Sequence, residues 1–223
     1  MAFHITGRQL FEYSLFLHKM IANKYGRFIR VDTVGVKDRD PRTAVLELMS
    51  REILRYRIGG ATAELGVYRG DFAKLINHFL PDKKLYLFDT FEGFDKRDTN
   101  FDMKTGLRTR TPSDFSQTSE ELVLSKMEHP ENCIIRKGWF PETTEGIDDI
   151  FCFVSLDADL YQPILAGLKF FYPKLLHGGV IMIHDFNNSE YGGARKAVKE
   201  FCDENSIGYV CLHDSCGSAV IVK

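Results

Sequence analysis

Two stretches decide how this sequence reads, 153-FVSLDADLYQPILAGL-168 and 178-GGVIMIHDFNN-188. Each opens as a run of apolar, β-favouring residues and then meets acids at its carboxyl end. The first meets Asp157 and Asp159, and the second meets His184 and Asp185. A carboxylate is costly to bury without partners, so a buried strand that ends in acid points its tip at water or at a ligand. Two strands that deliver acids at the same end imply one shared edge.

Outward from these stretches, strands and helices alternate. TAELGV, KLYLFD and CIIRKG read as further strands, and DFAKLINHFL and TSEELVLSKM as helices. The latter has Thr118 as its expected N-cap and Glu121 three residues on. A helix with Pro163 in its first turn follows the first quoted strand. ARKAVKEFCDEN then separates GVIMIHD from GYVCLH and SAVIVK. The central strands are near-continuous apolar runs, the pattern of parallel strands covered on both faces. The last two are joined only by DSCG, too short for a parallel crossover, and are expected to form an antiparallel edge hairpin. The prediction is an α/β chain with a Rossmann-like, doubly wound sheet of seven strands. Upstream, residues 8–25 and 42–57 carry helical spacing with a break at DRDPRTA. Residues 1–58 are therefore expected to be a helical extension of the domain that occupies 59–223.

With 223 residues, 44% hydrophobic and 27% charged, the chain suits one globular domain. Its formal net charge of -2 provides no field favouring nucleic acid or an anionic membrane. No run reaches the roughly 18 apolar residues of a membrane span. Arg8, Glu12 and His18 interrupt the N-terminus, which does not read as a signal peptide. The five cysteines are odd in number and form no CxxC pair. Cys133, Cys152 and Cys211 fall in strand-like runs and are expected to be small buried hydrophobes. A reducing cytoplasm is the expected location, and Cys202, Cys211 and His213 lack a zinc spacing.

Ligands of an open doubly wound sheet sit outside the carboxyl ends of its strands. That places Glu64–Gly70, Asp89, Gly138, Trp139, Asp157 and Asp185 along one edge. In AELGVYRGDFA, Gly66 and Gly70 let a ligand approach the backbone at a helix N-terminus, although a tight structural turn accounts for them equally well. Asp89 suits the two hydroxyls of a ribose, or the capping of the turn or helix that begins after it. Asp157 and Asp185 suit a shared cation. Asp159 is assigned to capping the helix at Pro163 or to bonding within the turn before it. His184 is either a structural histidine or a general base polarised by its acid neighbours. Residues 92–119 form a long polar connection expected to be a lid. Its basic run, Lys104, Arg108 and Arg110, faces either an anionic substrate group or solvent.

AELGVYRGDFAKLI, LYLFDTFEGF, SDFSQTS, RKGWFPET, FVSLDADLYQPILAGLKFFYPKLLHGGVIMIHDF and GGARKAVKEF succeed one another from about Ala61 to Phe201. With these motifs the chain resembles the macrocin O-methyltransferase (TylF-like) family of S-adenosylmethionine-dependent enzymes. The resemblance implies methyl transfer to a hydroxyl of a sugar or secondary-metabolite acceptor, assisted by a divalent cation such as Mg2+. It also implies that Glu64, Gly66, Tyr68 and Gly70 line the methionine and ribose side of the cofactor. Asp89 would hold the ribose, and Gly138 and Trp139 would border the adenine. Asp157 and Asp185 would ligate the metal, with Asp157 or His184 as base. In one departure, members with the best-described metal site carry two acids where this chain has His184 and Asp185.

Three other readings compete. A catechol-type methyltransferase shares the D-A-D strand end and the metal. A nucleotide-dependent oxidoreductase is disfavoured by the missing GxGxxG and the closing hairpin. A non-catalytic cofactor-binding protein is disfavoured by the intact acids. The expected partner is a small-molecule hydroxyl acceptor, with no nucleic acid and no membrane; assembly as a homo-oligomer stays open.

Overall fold

The computed structural model describes residues 40–108 and 115–223. The helix expected over 8–25, and Arg110, lie outside them. Helix α1 (Pro41–Arg55) opens on Pro41, whose missing N–H costs nothing at a first helical position. The chain then alternates through β1 (Ala61–Leu65), α2 (Ala73–Phe79), β2 (Leu85–Asp89), α3 (Lys96–Lys104), α4 (Glu120–Leu124), β3 (Cys133–Lys137) and β4 (Phe151–Leu156). It ends with α5 (Tyr161–Lys174), β5 (Leu175–Ile183), α6 (Gly192–Asn205), β6 (Val210–Leu212) and β7 (Ser218–Val222).

The seven strands form one sheet in the order β3-β2-β1-β4-β5-β7-β6. Pairing is parallel from β3 through to β5. β7 runs antiparallel between β5 and β6, so it alone is reversed. The strand period of two sorts the core onto both faces. Ala63, Leu65, Phe88 and Val154 pack with Ile164, Leu168 and Phe171 of α5 and Ala197 and Phe201 of α6. Leu87, Phe153, Val180 and Met182 pack with Leu46 and Ile53 of α1, Ile76 of α2 and Val123 of α4. Each buried Val, Leu, Ile, Phe or Met side chain among these contributes about 1.5–3 kcal/mol relative to exposure, and the helices on both faces are held in this way.

Several local expectations are corrected. The 92–119 segment, expected as a long polar lid, contains a helix that the sequence reading did not place, α3, whose N-cap Asp95 accepts from the Arg97 amide at 2.8 Å. Fully buried Asp102 of α3 accepts from the Tyr161 amide at 3.2 Å, so α5 is capped by a residue far upstream. Asp159 therefore does not cap α5; its N-cap position is Leu160, with no side-chain bond. The cap of α4 is Ser119, which accepts from the Leu122 amide at 3.1 Å, while the Thr118 hydroxyl donates to the Tyr68 carbonyl. Arg108 is not solvated and does not line the cavity described below. It is buried beside the rings of Phe94 and Tyr191. Of the three strand cysteines only Cys152 is buried; Cys133 is half-buried, and Cys211 is exposed because β6 is an edge strand. Among the described residues no helix is long and apolar enough to cross a membrane.

Candidate active site

Strand order reverses direction between β1 and β4, the switch point at which a crevice opens in such sheets. The hydrogen-bond ladder continues one residue past the strands there. The amides of Gly66, Asp157 and His184 donate to the carbonyls of Phe88, Leu65 and Leu156 at 2.9, 2.8 and 2.9 Å. The Gly138 amide donates to the Asp89 carbonyl at 2.9 Å. Each tip residue is thus fixed by its neighbour strand and lines a cavity of about 480 Å³, within the usual size of small-ligand sites.

Gly66 has φ +87°, and a Cβ on it would stand 2.1 Å from the Asp157 carbonyl oxygen. Glycine is demanded there by the protein's own β4 tip. Gly70 does not line the cavity; it packs beneath Val123 and Met127, at α4 and just beyond it. Tyr68, also with positive φ, donates its amide to Asp89 Oδ2 at 2.8 Å, and the Phe91 amide donates to Asp89 Oδ1 at 2.7 Å. Asp89 is therefore held rigidly, with one further lone pair on each oxygen. Glu64, 1% exposed, receives the Ser155 hydroxyl at 3.4 Å on Oε1, whereas its Oε2 is buried with no partner among the described residues. Burial, only partly offset by Arg42, holds this carboxyl well above the usual range.

Asp157 and Asp185 do meet. His184 Nδ1 lies 3.0 Å from Asp157 Oδ1 and 2.8 Å from Asp185 Oδ2, and Asn188 Nδ2 donates to Asp185 Oδ1 at 2.6 Å. Arg42 completes the group from α1. Its Nη1 donates to Asp157 Oδ2 at 2.8 Å and its Nη2 to the Ser155 hydroxyl at 2.9 Å, with the guanidinium 3.8 Å above the Phe72 ring. Burial works against ionisation of Asp157, but Arg42 and His184 outweigh it and hold the carboxyl below its usual range. Burial likewise opposes a charged His184, yet hydrogen bonds to both acids raise it to about 10. In this arrangement His184 holds a proton and is not poised to accept one. Asp159 also lines the cavity, with φ +56°. Burial first, then Asp185 and Asp157, raise it well above an ordinary carboxyl.

The expectations missed Arg42 and the place of Asp159 in the site. Arg42 shares a helical face with Leu46 and Ile53, so a base on the apolar stripe of α1 was the available signal. Ligand atoms of Asp157, His184 and Asp185 all lie within 4.8 Å of one another. Donors bound at about 2.1 Å and at right angles stand about 3 Å apart, and the two edges that His184 makes with Asp157 and Asp185, 3.0 and 2.8 Å, match that spacing. The set is two oxygens and a nitrogen, not the all-oxygen set expected for Mg2+.

The sequence matches the model of the macrocin O-methyltransferase family over residues 38–213. The chain belongs to that family. It is 27% identical over 149 residues to demethyldecarbamoylnovobiocin O-methyltransferase of Streptomyces niveus, covering 60% of this chain and 56% of that protein. The chain thus spans little more than half the length of this curated relative. Its fold is similar to that of CalS11, a calicheamicin methyltransferase (TM-score 0.65, 17% identity, 99% of this chain and 94% of that one). It is also similar to that of the O-methyltransferase TomG of Streptomyces achromogenes, solved in complex with S-adenosylmethionine (TM-score 0.55, 12% identity, 94% and 89%).

Proposed function

We propose that this protein transfers a methyl group from S-adenosylmethionine to a hydroxyl of a small sugar or secondary-metabolite acceptor. One observation carries the reading: rigid Asp89 and Glu64 Oε2, which has no partner among the described residues, share a single cavity with the Asp157, Asp159, His184 and Asp185 cluster. A site for a ribose-bearing cofactor thereby adjoins a site able to handle a hydroxyl proton. Membership of an O-methyltransferase family supports the same reaction.

When bound, S-adenosylmethionine supplies an electrophilic methyl group on its sulfonium. Asp89 accepts from the ribose hydroxyls, and Glu64 Oε2 receives a donor from the amino-acid end. Asp157, Asp185 and, with its proton released, His184 would hold a divalent cation, which would supply Lewis acidity at the acceptor oxygen. Among the carboxyls of the cluster, Asp159 has its proton affinity raised by burial and by its acid neighbours. Once it has lost its own proton it is the strongest carboxylate base of the cluster and the group suited to take the hydroxyl proton, because Asp157 is already engaged by Arg42 and His184. Wall residues orient the two reactants for in-line attack, which removes much of the entropic barrier.

Calorimetry with S-adenosylhomocysteine tests the cofactor half. Binding is expected, and Asp89→Ala should weaken it by about 1.5–3 kcal/mol. A folded protein that fails to bind this ligand would sink the proposal. Mass-spectrometric methyl transfer over a panel of glycosides then tests the acceptor half. Phe94, Phe115 and Tyr191 also line the cavity, and this aromatic wall favours a second reading in which the acceptor is an aromatic diol. Catechols in the same panel decide between the two.

A further inference from the structure

Asp98, in the first turn of α3, is a buried acid for which the proposed mechanism has no use. It is 4% exposed, and its Oδ2 accepts from the Trp139 indole N–H at 2.9 Å. Its Oδ1 is buried with no hydrogen-bond partner among the described residues. The adjacent base, Arg97, is turned away. It pairs with Asp95 at 2.9 Å and lays its guanidinium 3.8 Å over the Trp139 ring. Trp139 is thus pinned on one face by Arg97 and at its edge by Asp98, and both Trp139 and Asp98 line the cavity. A bare carboxylate oxygen in such a place costs stability unless something donates to it.

The neighbourhood shows which part of a ligand could donate. Asp89 and Lys137 are paired across β2 and β3, and the Gly138 amide is bonded to the Asp89 carbonyl. The wall therefore runs from Asp89 through Gly138 and Trp139 to Asp98. A ribose held at Asp89 would have this wall beside it for its base. We infer that Asp98 Oδ1 accepts the exocyclic amine of the cofactor's adenine and makes the site selective for an amino-purine over an oxo-purine. Adenine presents an amino donor at this position, whereas hypoxanthine and guanine present a carbonyl acceptor, which a carboxylate oxygen opposes. Burial raises Asp98 to about 6, with the indole bond working the other way, so it is ionised and accepting at neutral pH. The inference rests on the methyl-donor reading and assigns its base specificity to a residue on α3.

The test is calorimetry of the full chain with S-adenosylhomocysteine and with its deaminated analogue S-inosylhomocysteine, in which an oxo group replaces the amine. The wild type should prefer the adenosyl ligand by roughly 10- to 100-fold, the range of one hydrogen bond to a charged group. Asp98→Asn, whose amide can present either polarity, should bring the ratio near unity, and so should Asp98→Ala. Asp89→Ala should weaken both ligands together and leave the ratio as it is. If Asp98 merely props Trp139, its variants will weaken both ligands equally, and an unchanged ratio overturns the assignment while the methyl-donor reading stands. Binding of neither ligand by the wild type would remove the methyl-donor reading and this assignment with it.

Discussion

Arg42 Nη1 donates to Asp157 Oδ2 at 2.8 Å across 115 residues of sequence. This pair ties the first turn of α1 to the tip of β4. Both partners are largely withdrawn from water, with side-chain exposures of 7% and 22%. The planar guanidinium serves Asp157 and Ser155 at once, and an ammonium cannot reproduce that fork. Removing one member of a buried pair strands the other, at about 3–5 kcal/mol. Arg42→Met should therefore lower stability by that order in urea denaturation. Arg42→Lys should recover part of the stability, yet lose turnover more than affinity for S-adenosylhomocysteine, because Asp157 is no longer oriented. Full turnover in Arg42→Lys would show that the fork is irrelevant to the chemistry.

Gly66 and Gly146 both have positive φ, but only Gly66 has backbone where a Cβ would go. Gly146→Ala incurs the left-handed penalty alone, about 1–2 kcal/mol. Gly66→Ala adds a collision with the Asp157 carbonyl that only movement of the β4 tip can relieve. The expected outcome is a larger loss of stability for Gly66→Ala together with lost cofactor binding. Equal unfolding midpoints for the two variants would contradict the close approach.

His184 stands where a third acid would complete an all-oxygen set. Imidazole suits late first-row divalent ions, and carboxylates suit Mg2+. Titration calorimetry on chelator-treated protein should therefore find Ni2+ or Zn2+ bound more tightly than Mg2+. His184→Asp should narrow that gap, and Asp185→Asn should weaken every ion. An unaltered ion preference in His184→Asp would exclude the imidazole as a ligand.

Asp98 also makes a prediction for the protein without ligand. Its folded pKa of about 6 lies above the 3.8 of an unperturbed aspartate. A carboxyl raised in this way carries no penalty below about pH 4, where it is protonated folded or unfolded. The penalty grows as pH rises and is complete above about 6. A displacement of this size corresponds to at most about 3 kcal/mol. Asp98→Asn should thus be more stable than wild type at pH 7.5 by about 1–3 kcal/mol, with the difference fading near pH 4. A pH-independent difference would mean that Asp98 is not desolvated.

The sheet was legible in the sequence because its signals are local. Apolar runs over Phe153–Leu156 and Val180–Ile183, the short DSCG link and the acids at the tips each lie within a few consecutive residues. Asp89, Asp157 and Asp185 followed from the rule that strands of such a sheet end at one edge. Other features depend on approaches through space between residues far apart in the chain. Examples are Arg42 reaching Asp157, Asp102 capping α5, Asp98 holding Trp139, and the β4 tip that forbids a Cβ at Gly66. Spacing along the chain carries no trace of these, since a side chain's partner is chosen by packing of whole elements. Hence the sequence alone determined which edge of the sheet holds the cavity. Tertiary structure decided which charges face each other there, because desolvation and distance, not order in the chain, set their protonation and their partners.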